Sequence, residues 1–156
     1  MFFPKLIFER MPIDVKIVNT SSNPLPQYAT AGSSGLDLRA DLNSPIELQA
    51  MERKLVPTGL FIEIPGGYEA QVRPRSGLAI NHGITCLNSP GTIDSDYRGE
   101  IKIVLINLSG EKHIISPGDR IAQLVLQQVE KISWEQVSVL SETVRNNQGF
   151  GSTGKN

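Results

Sequence analysis

The chain has little cysteine and little histidine, and it has no long apolar run. Its 156 residues include one cysteine, Cys86. A single cysteine excludes an intramolecular disulfide and favours a reducing compartment such as the cytoplasm. Because Cys86 lies among Ile84, Thr85 and Leu87, we expect a buried strand thiol and not a nucleophile. The two histidines, His82 and His113, are too few and too isolated in the sequence to predict a zinc site.

The chain also lacks a strong net charge. Fifteen basic and sixteen acidic residues give a net charge of −1, so no overall positive field attracts nucleic acid. No apolar run approaches the roughly 20 residues of a membrane-spanning helix. We therefore expect neither a nucleic-acid nor a membrane partner, and any bound polyanion must meet a local cluster of arginines and backbone N–H groups.

The length suits one domain with an extension at each end. Residues 1–10 contain Lys5, Glu9 and Arg10 and no small-residue cleavage site, so they make a poor signal peptide. We expect them to lie outside a β domain that spans residues 11–144. Residues 145–156 are rich in glycine and nearly free of apolar side chains, which predicts a flexible C-terminal arm.

Short apolar segments predict an all-β fold. Fourteen glycines and ten prolines punctuate them, a pattern typical of a β-sandwich or barrel. The best helix candidate, Ser76 to Asn81, is at most two turns long. Strands are expected at 15–18, 35–40, 55–56, 60–64, 68–72, 84–87, 101–108 and 121–129, and more weakly at 132–140.

The most informative stretch runs from residue 88 to residue 101. It carries Asp94, Asp96, Tyr97 and Arg98 in what reads as a tight turn between two strand-like segments. A carboxylate held on such a scaffold can deprotonate a water placed before an electrophile. The alternative is a polar hairpin whose aspartates bind the turn backbone.

Three further segments carry polar side chains at the ends of predicted elements. Asp37 follows a glycine-rich turn, where its carboxylate can reach a metal-bound water or cap the turn. Arg75 and Ser76 precede the short helix, which makes either a local anion site or an ordinary N-cap. Pro117, Gly118 and Asp119 form a turn that leads into a strand. Asp119 and Arg120 are interpreted as structural, whereas Gln123 could offer a donor to a ligand.

The fifth segment is the C-terminal tail. Glycines let backbone N–H groups crowd around an anion, and Phe150 stands between Gly149 and Gly151. Base–aromatic stacking, worth about 1–3 kcal/mol, is a natural use for such an exposed ring. The alternative is a disordered low-complexity tail.

Taken together, these five segments resemble the five ordered motifs of the trimeric dUTPases, from about Ala31 to Gly154. The resemblance implies a distorted, jelly-roll-like β-barrel with one short helix, assembled as a homotrimer with active sites shared between subunits. It implies Mg²⁺-assisted hydrolysis of dUTP to dUMP and pyrophosphate, which limits uracil incorporation into DNA and supplies dUMP for thymidylate synthesis.

The resemblance also implies roles for individual residues. Asp94 would activate the water, and Tyr97 would stack beneath the deoxyribose and exclude a 2′-hydroxyl. Asn88 would contact uracil, and Asp37 would reach Mg²⁺ through water. Ser76 joins Asp94 and Asp37 as the catalytic residues. The substrate-binding positions are Arg75, Ser76, Gly77, Asn88, Thr92, Ile93, Asp94, Tyr97, Gln123, Arg145, Phe150, Gly151, Ser152 and Thr153.

One departure and two alternatives accompany the resemblance. Asn146, Asn147 and Gln148 stand where the family usually has glycines, although asparagine tolerates the left-handed region better than most residues. The first alternative is a dCTP deaminase of related fold, which would activate water at the base. The second is a non-catalytic nucleotide-binding regulator on the same fold.

Overall fold

A computed structural model describes residues 12–147, which form eleven strands and one short helix. The strands are β1 (Lys16–Asn19), β2 (Leu36–Arg39), β3 (Ile46–Leu48), β4 (Arg53–Pro57), β5 (Leu60–Glu63), β6 (Tyr68–Arg73), β7 (Ile84–Cys86), β8 (Gly91–Ile93), β9 (Lys102–Asn107), β10 (His113–Ile115) and β11 (Arg120–Gln128). The helix, α1, spans Ser76–His82. The all-β prediction with one short helix is confirmed.

The strands form four antiparallel sheets that enclose one core. The largest has the order β2-β11-β6-β8 and the next β4-β9-β7, while β1 pairs with β5 and β10 with β3. No helix in residues 12–147 is long and apolar enough to cross a membrane.

Alternation along the strands puts apolar side chains into the core. In β9, Ile103, Leu105 and Asn107 are buried while the residues between them are more exposed, as the two-residue period of a strand requires. The buried Asn107 donates from Nδ2 to the Leu48 carbonyl at 2.9 Å. The buried Thr58 hydroxyl donates to the Ile101 carbonyl at 2.6 Å. Both polar groups are therefore satisfied inside the core.

The segment from residue 88 to residue 101 is not the tight turn that the sequence predicts. Strands β7 and β9 do pair with each other, but β8 lies between them in the chain and pairs with β6 in the other large sheet. The chain thus crosses from one sheet to the other and back. The correction matters because two sheets, and not one hairpin, hold the predicted site residues.

The predicted strand at residues 132–140 is wrong. The structure has no strand there, and Trp134 and Leu140 are 88% and 82% exposed. A strand needs a neighbour for its backbone hydrogen bonds, and within residues 12–147 this segment has none. Apolar alternation alone was therefore insufficient to predict a strand at residues 132–140. Conversely, the sequence did not predict the short strands β3, β8 and β10. Each has three residues and, unlike the equally short β7, none lies in a longer apolar run.

Pro74 follows the last residue of β6, and the short helix begins two residues later, after its N-cap residue Arg75. It ends at Gly83, whose φ of 65° lies in the left-handed region and whose N–H donates to the Ala79 carbonyl at 3.0 Å. This is a common helix C-terminus, in which glycine is favoured because it has no Cβ. The helix is one residue longer than predicted, and its first turn presents Ser76 and Gly77 to solvent.

Candidate active site

A cavity of about 330 Å³ lies where the chain crosses between the two large sheets. Val72 from β6 and Ile103 from β9 form part of its wall, so both sheets contribute to it. The sequence-predicted residues that line the cavity are Asn88, Thr92, Ile93, Asp94 and Tyr97. The structure thus brings Asn88, Tyr97 and Asp94, which the resemblance assigns to uracil, the sugar and the attacking water, to one cavity together with Thr92 and Ile93.

The loop after β8 is held by its own hydrogen bonds. The Tyr97 N–H donates to the Asp94 carbonyl at 3.1 Å. Arg98 Nη1 donates to the carbonyls of Ser95 and Tyr97 at 2.7 and 2.9 Å. These bonds make Arg98 a brace for the loop. They fix the backbone that carries both Asp94 and Tyr97.

The Tyr97 ring has a defined place across this loop. Its hydroxyl donates to the Glu100 carbonyl at 3.1 Å. A Cβ built on Gly99 would collide with the ring, so glycine is needed there for the ring to lie across the backbone. The ring is 46% exposed, which leaves part of its surface open to a ligand.

The Asp94 side chain is exposed at the cavity. Among residues 12–147, no hydrogen bond or ion pair uses its carboxylate; only its backbone carbonyl is engaged, by Tyr97. The alternative in which the aspartate caps its own turn is therefore wrong. A carboxylate with free lone pairs on a braced loop can accept a proton from water.

The second predicted carboxylate has the opposite surroundings. Asp37 lies within β2, not at a turn, so the cap interpretation is wrong here too. Its Oδ1 accepts from Arg75 Nε at 3.1 Å and from Gln123 Nε2 at 3.4 Å. Its Oδ2 accepts from Arg120 Nη1 at 3.0 Å. Only 22% of the side chain is exposed.

Arg120 is the functional-site candidate that sequence reasoning missed. It was read with Asp119 as part of a structural turn. That reading is confirmed for Asp119, whose Oδ2 accepts from the Ser116 N–H at 2.7 Å. Arg120 instead reaches across to Asp37, and its carbonyl accepts from Arg75 Nη1 at 3.2 Å. Arg120 is recognised as a site residue only from the pairing register of β11, which the sequence alone does not reveal.

The start of α1 lies beside this cluster because Arg75 is its N-cap residue. The cap has extended backbone angles and no side-chain capping bond. Ser76 is the first helical residue, so the interpretation of Ser76 as the N-cap is wrong. No hydrogen bond among residues 12–147 uses its hydroxyl, and the first backbone N–H groups of a helix have no intrahelical partner.

The two carboxylates stand at opposite edges of one sheet. Asp37 is in β2, Asp94 directly follows β8, and β11 and β6 lie between. Three strand spacings amount to about 14 Å. By register, Asp94 falls opposite Glu69 and Asp37 level with Arg73, which adds roughly 13 Å along the strands. The backbones of the two aspartates are therefore roughly 20 Å apart in one chain.

Only some of the predicted C-terminal site residues lie within the part of the chain that the structure describes. Arg145 is exposed. Asn146 has a φ of 43° and donates its N–H to Thr143 Oγ1 at 2.9 Å. The expectation that asparagine accepts the left-handed region in place of glycine is confirmed at this position. Phe150, Gly151, Ser152 and Thr153 lie outside the described residues.

The sequence predicts no zinc site at the two histidines and a buried thiol at Cys86, and one detail needs correction. His82 and His113 are not isolated in space, because their ring centroids are 4.6 Å apart. Burial and the nearby His82 charge lower the pKa of His113. Within residues 12–147, no third histidine, cysteine or carboxylate joins them in a metal-binding group. Cys86 is buried as predicted, and burial raises the pKa of its thiol to about 11.

The residues present fit a magnesium ion that arrives with its substrate. Residues 12–147 contain no group of three or more histidine, cysteine or carboxylate side chains that could hold an ion alone. Mg²⁺ retains several waters and prefers phosphate oxygens. One carboxylate, Asp37, would then be enough to accept a hydrogen bond from a metal-bound water, and its role stays a prediction.

Comparison with known proteins identifies the family. The dUTPase family model matches residues 21–154. The deoxyuridine 5'-triphosphate nucleotidohydrolase of Finegoldia magna is 61% identical over 140 residues, covering 90% of this chain and 98% of the relative. The enzyme of the same name from Cytophaga hutchinsonii is 59% identical over 145 residues, covering 93% and 94%. The chain belongs to the dUTPase family.

Solved structures share the fold at lower identity. The dUTPase of Staphylococcus bacteriophage 80α with dUPNHPP has a TM-score of 0.78 at 23% identity, covering 90% of this chain and 98% of the phage chain. A dUTPase from phage φ11 of S. aureus, described as coordinating a structural Mg(II) ion, has a TM-score of 0.74 at 20% identity, covering 83% and 99%. At these identities the likeness shows the fold.

Proposed function

We propose that the protein hydrolyses dUTP to dUMP and pyrophosphate, with Asp94 as the base that activates the attacking water. The observation that carries this proposal is the Asp94 carboxylate, which has no partner among residues 12–147 and lines a cavity that also holds Asn88 and Tyr97. A base, an amide for a pyrimidine edge and a flat ring for a sugar are what water attack on a bound deoxynucleotide requires.

The cavity residues select and orient the nucleoside. Asn88 can both donate to and accept from uracil, because its side chain is an amide. Tyr97 offers an apolar face under the sugar, and a 2′-hydroxyl buried against it would find no partner. Thr92 and Ile93 complete the wall. Orientation of this kind places the α-phosphate in front of the water held by Asp94.

The phosphate-binding groups come from the start of α1 and from the Asp37 cluster, which consists of Asp37, Arg75, Arg120 and Gln123. Arg75 brings a guanidinium, Gln123 an amide, and Ser76 and Gly77 a hydroxyl and backbone N–H groups at a helix start. When bound, Mg²⁺ neutralises phosphate charge and so makes the phosphorus easier to attack. Asp37 would hold a water of that ion, with its two oxygens already oriented by its neighbours.

We also propose that the active site forms between chains of a homotrimer. Two observations support this. The two carboxylates of one chain lie at opposite sheet edges, too far apart to act on one triphosphate. In addition, exposed apolar side chains along 132–140, including Trp134 and Leu140, form the kind of surface that a partner chain covers.

The tail completes this proposal. In it, Arg145, Ser152 and Thr153 meet the terminal phosphates, Gly151 contributes a backbone N–H, and Phe150 stacks on uracil. The family match extends through this segment, to residue 154. Closure of such a segment would exclude water from the reacting phosphorus. We place the reaction in the cytoplasm, since the one cysteine is a free thiol.

The alternatives are not favoured. A dCTP deaminase would need its activated water at the base ring. The named relatives of this chain are triphosphate nucleotidohydrolases, in which the water attacks phosphorus. A non-catalytic regulator would have no use for an unpartnered carboxylate at the cavity.

The experiment is a pyrophosphate-release assay across dUTP, dTTP, dCTP and UTP with Mg²⁺, with products identified by chromatography. The proposal expects dUMP and pyrophosphate from dUTP and far slower turnover of the other three. Release of ammonia from dCTP, or no turnover of any nucleotide by folded protein, would overturn it.

A further inference from the structure

The Asp37 cluster contains more positive charge than its one carboxylate can neutralise. Arg75 and Arg120 each contact a different oxygen of Asp37. Two guanidiniums and one carboxylate leave a surplus of one positive charge. The Arg120 side chain is 51% exposed, so an anion in solution can reach it.

A strand irregularity places Arg120 on this face. Gln123 pairs with Asp37 and Ala122 with Leu38, but Arg120 then pairs with Arg39, so Ile121 is an extra residue in β11. Paired residues of neighbouring strands point to the same side of a sheet, which puts Arg120 on the side of Asp37 and Gln123. The extra residue is a β-bulge.

Without the bulge, the chain would bury this charge. A regular register would set Arg120 opposite Ala40, which is 1% exposed and belongs to the core. The bulge lets both Ile121 and Ala122 be buried, at 1% and 0% exposure, while Arg120 is turned outward to Asp37. Bulges often re-aim a side chain next to an active site.

We propose that Arg120 is a specificity residue for the polyphosphate part of the substrate, placed by the bulge at Ile121. The inference rests on the proposed function. Together with Arg75, Arg120 gives the site the surplus charge that distinguishes a triphosphate from a monophosphate, while its bond to Asp37 Oδ2 orients that carboxylate. A charge-assisted bond to phosphate is stronger than a neutral one.

The test compares ligands that differ only in their phosphates. Binding of α,β-imido-dUTP and of dUMP is measured by calorimetry with Mg²⁺ for the native protein, Arg120→Gln and Arg120→Lys. We expect Arg120→Gln to weaken the triphosphate analogue about 10–100-fold, the loss typical of a hydrogen bond to a charged group, and dUMP by less than about twofold. Arg120→Lys, which keeps the charge, should recover part of the loss.

The matched control is Arg73→Gln. Arg73 pairs with Gln123 in the same sheet, but its guanidinium bonds Gln71 Oε1 at 2.8 Å and not Asp37. The Arg73→Gln substitution removes the same charge without changing the Asp37 cluster, so it should weaken binding of the triphosphate analogue much less. Thermal unfolding of each variant verifies that the fold is intact.

Equal losses for both ligands, no loss, or an equal loss in the Arg73 control would overturn the assignment. The assay of the native enzyme on dUTP is separate. Absence of turnover would defeat the proposed function, while the preference for triphosphate over monophosphate would still report on Arg120.

Discussion

The two aspartates of the candidate site occupy opposite electrostatic settings. Asp94 has an exposed carboxylate without a partner among residues 12–147 and stands on a loop braced by Arg98. Asp37 is mostly buried within a strand and accepts hydrogen bonds from two arginines and a glutamine. Each aspartate belongs to a different edge of the same sheet.

The difference shows how one residue type can serve two tasks. A general base must keep a lone pair available for a proton, and strong ion pairs would stabilise its charge and weaken it. A carboxylate that orients a metal-bound water beside phosphates needs a fixed geometry and compensating positive charge. Asp94 meets the first requirement and Asp37 the second, and exchanging their surroundings would suit neither.

The largest effect is expected at Asp94. Asp94→Asn keeps the shape but removes the basic lone pair, and we expect turnover of dUTP to fall about 10²–10⁴-fold with little change in binding. Steady-state kinetics and calorimetry with α,β-imido-dUTP measure the two quantities. Asp96→Asn, two residues further along, is the matched control and should retain near-native turnover. A folded Asp94→Asn protein with native turnover would show that the base is elsewhere.

Asp37 should give a smaller and different loss. A hydrogen bond to a charged acceptor is worth about 1.5–3 kcal/mol, so Asp37→Asn should raise the half-saturating Mg²⁺ concentration roughly tenfold or more. Turnover at saturating Mg²⁺ should fall less than in Asp94→Asn. Magnesium titrations of dUTP hydrolysis give both numbers. If Asp37→Asn leaves the magnesium dependence unchanged, the contrast between the two aspartates is wrong.

Tyr97 should alter selectivity more than rate. Tyr97→Ala removes the ring under the sugar, and we expect the preference for dUTP over UTP in kcat/KM to narrow on the order of tenfold. Tyr97→Phe keeps the ring and loses only the bond to the Glu100 carbonyl, so it should keep the preference. A native enzyme that hydrolyses UTP as well as dUTP would contradict the role.

The smallest effect concerns stability at acid pH and involves neither aspartate. Burial and the His82 charge lower the pKa of His113 in the folded state, so the unfolded chain binds the proton more readily. Stability is then lost as pH falls below the unfolded value, near 6.5, towards the lower folded pKa. His113→Phe should flatten this loss in denaturant titrations between those two values. If the slope of stability against pH is the same in His113→Phe as in the native protein, the histidine pair does not contribute to the loss of stability at acid pH.

Local pattern predicted most strands and the helix of this fold. The β-branched run at 101–108 corresponds to β9 (Lys102–Asn107), and the turn-helix signal at Ser76 to α1. These elements follow from short-range alternation and from proline and glycine at their ends. Five residues that line the cavity, from Asn88 to Tyr97, were also predicted as site residues, because they share one continuous stretch that resembles one motif.

What the sequence left undetermined depends on pairing between distant segments. Nothing local shows that β8 pairs with β6, or that an extra residue at Ile121 turns Arg120 towards Asp37. The apolar alternation at 132–140 predicted a strand where residues 12–147 provide no neighbour for it. In each case the missing information is the register or the presence of a partner strand, which only the assembled fold supplies.

Mixing two variants that are impaired at different residues tests the central claim that Asp94 and Asp37 act together only across chains. Asp94→Asn is co-expressed with the double variant Asp37→Asn, Ser76→Ala, and the mixed oligomers are assayed for dUTP hydrolysis. If sites form between chains and the chains mix at random, about a quarter of the sites regain all three native side chains. The account predicts turnover of that order, well above either variant alone. Mixed oligomers as inactive as their parents would show that each chain builds its own site, and would contradict the account.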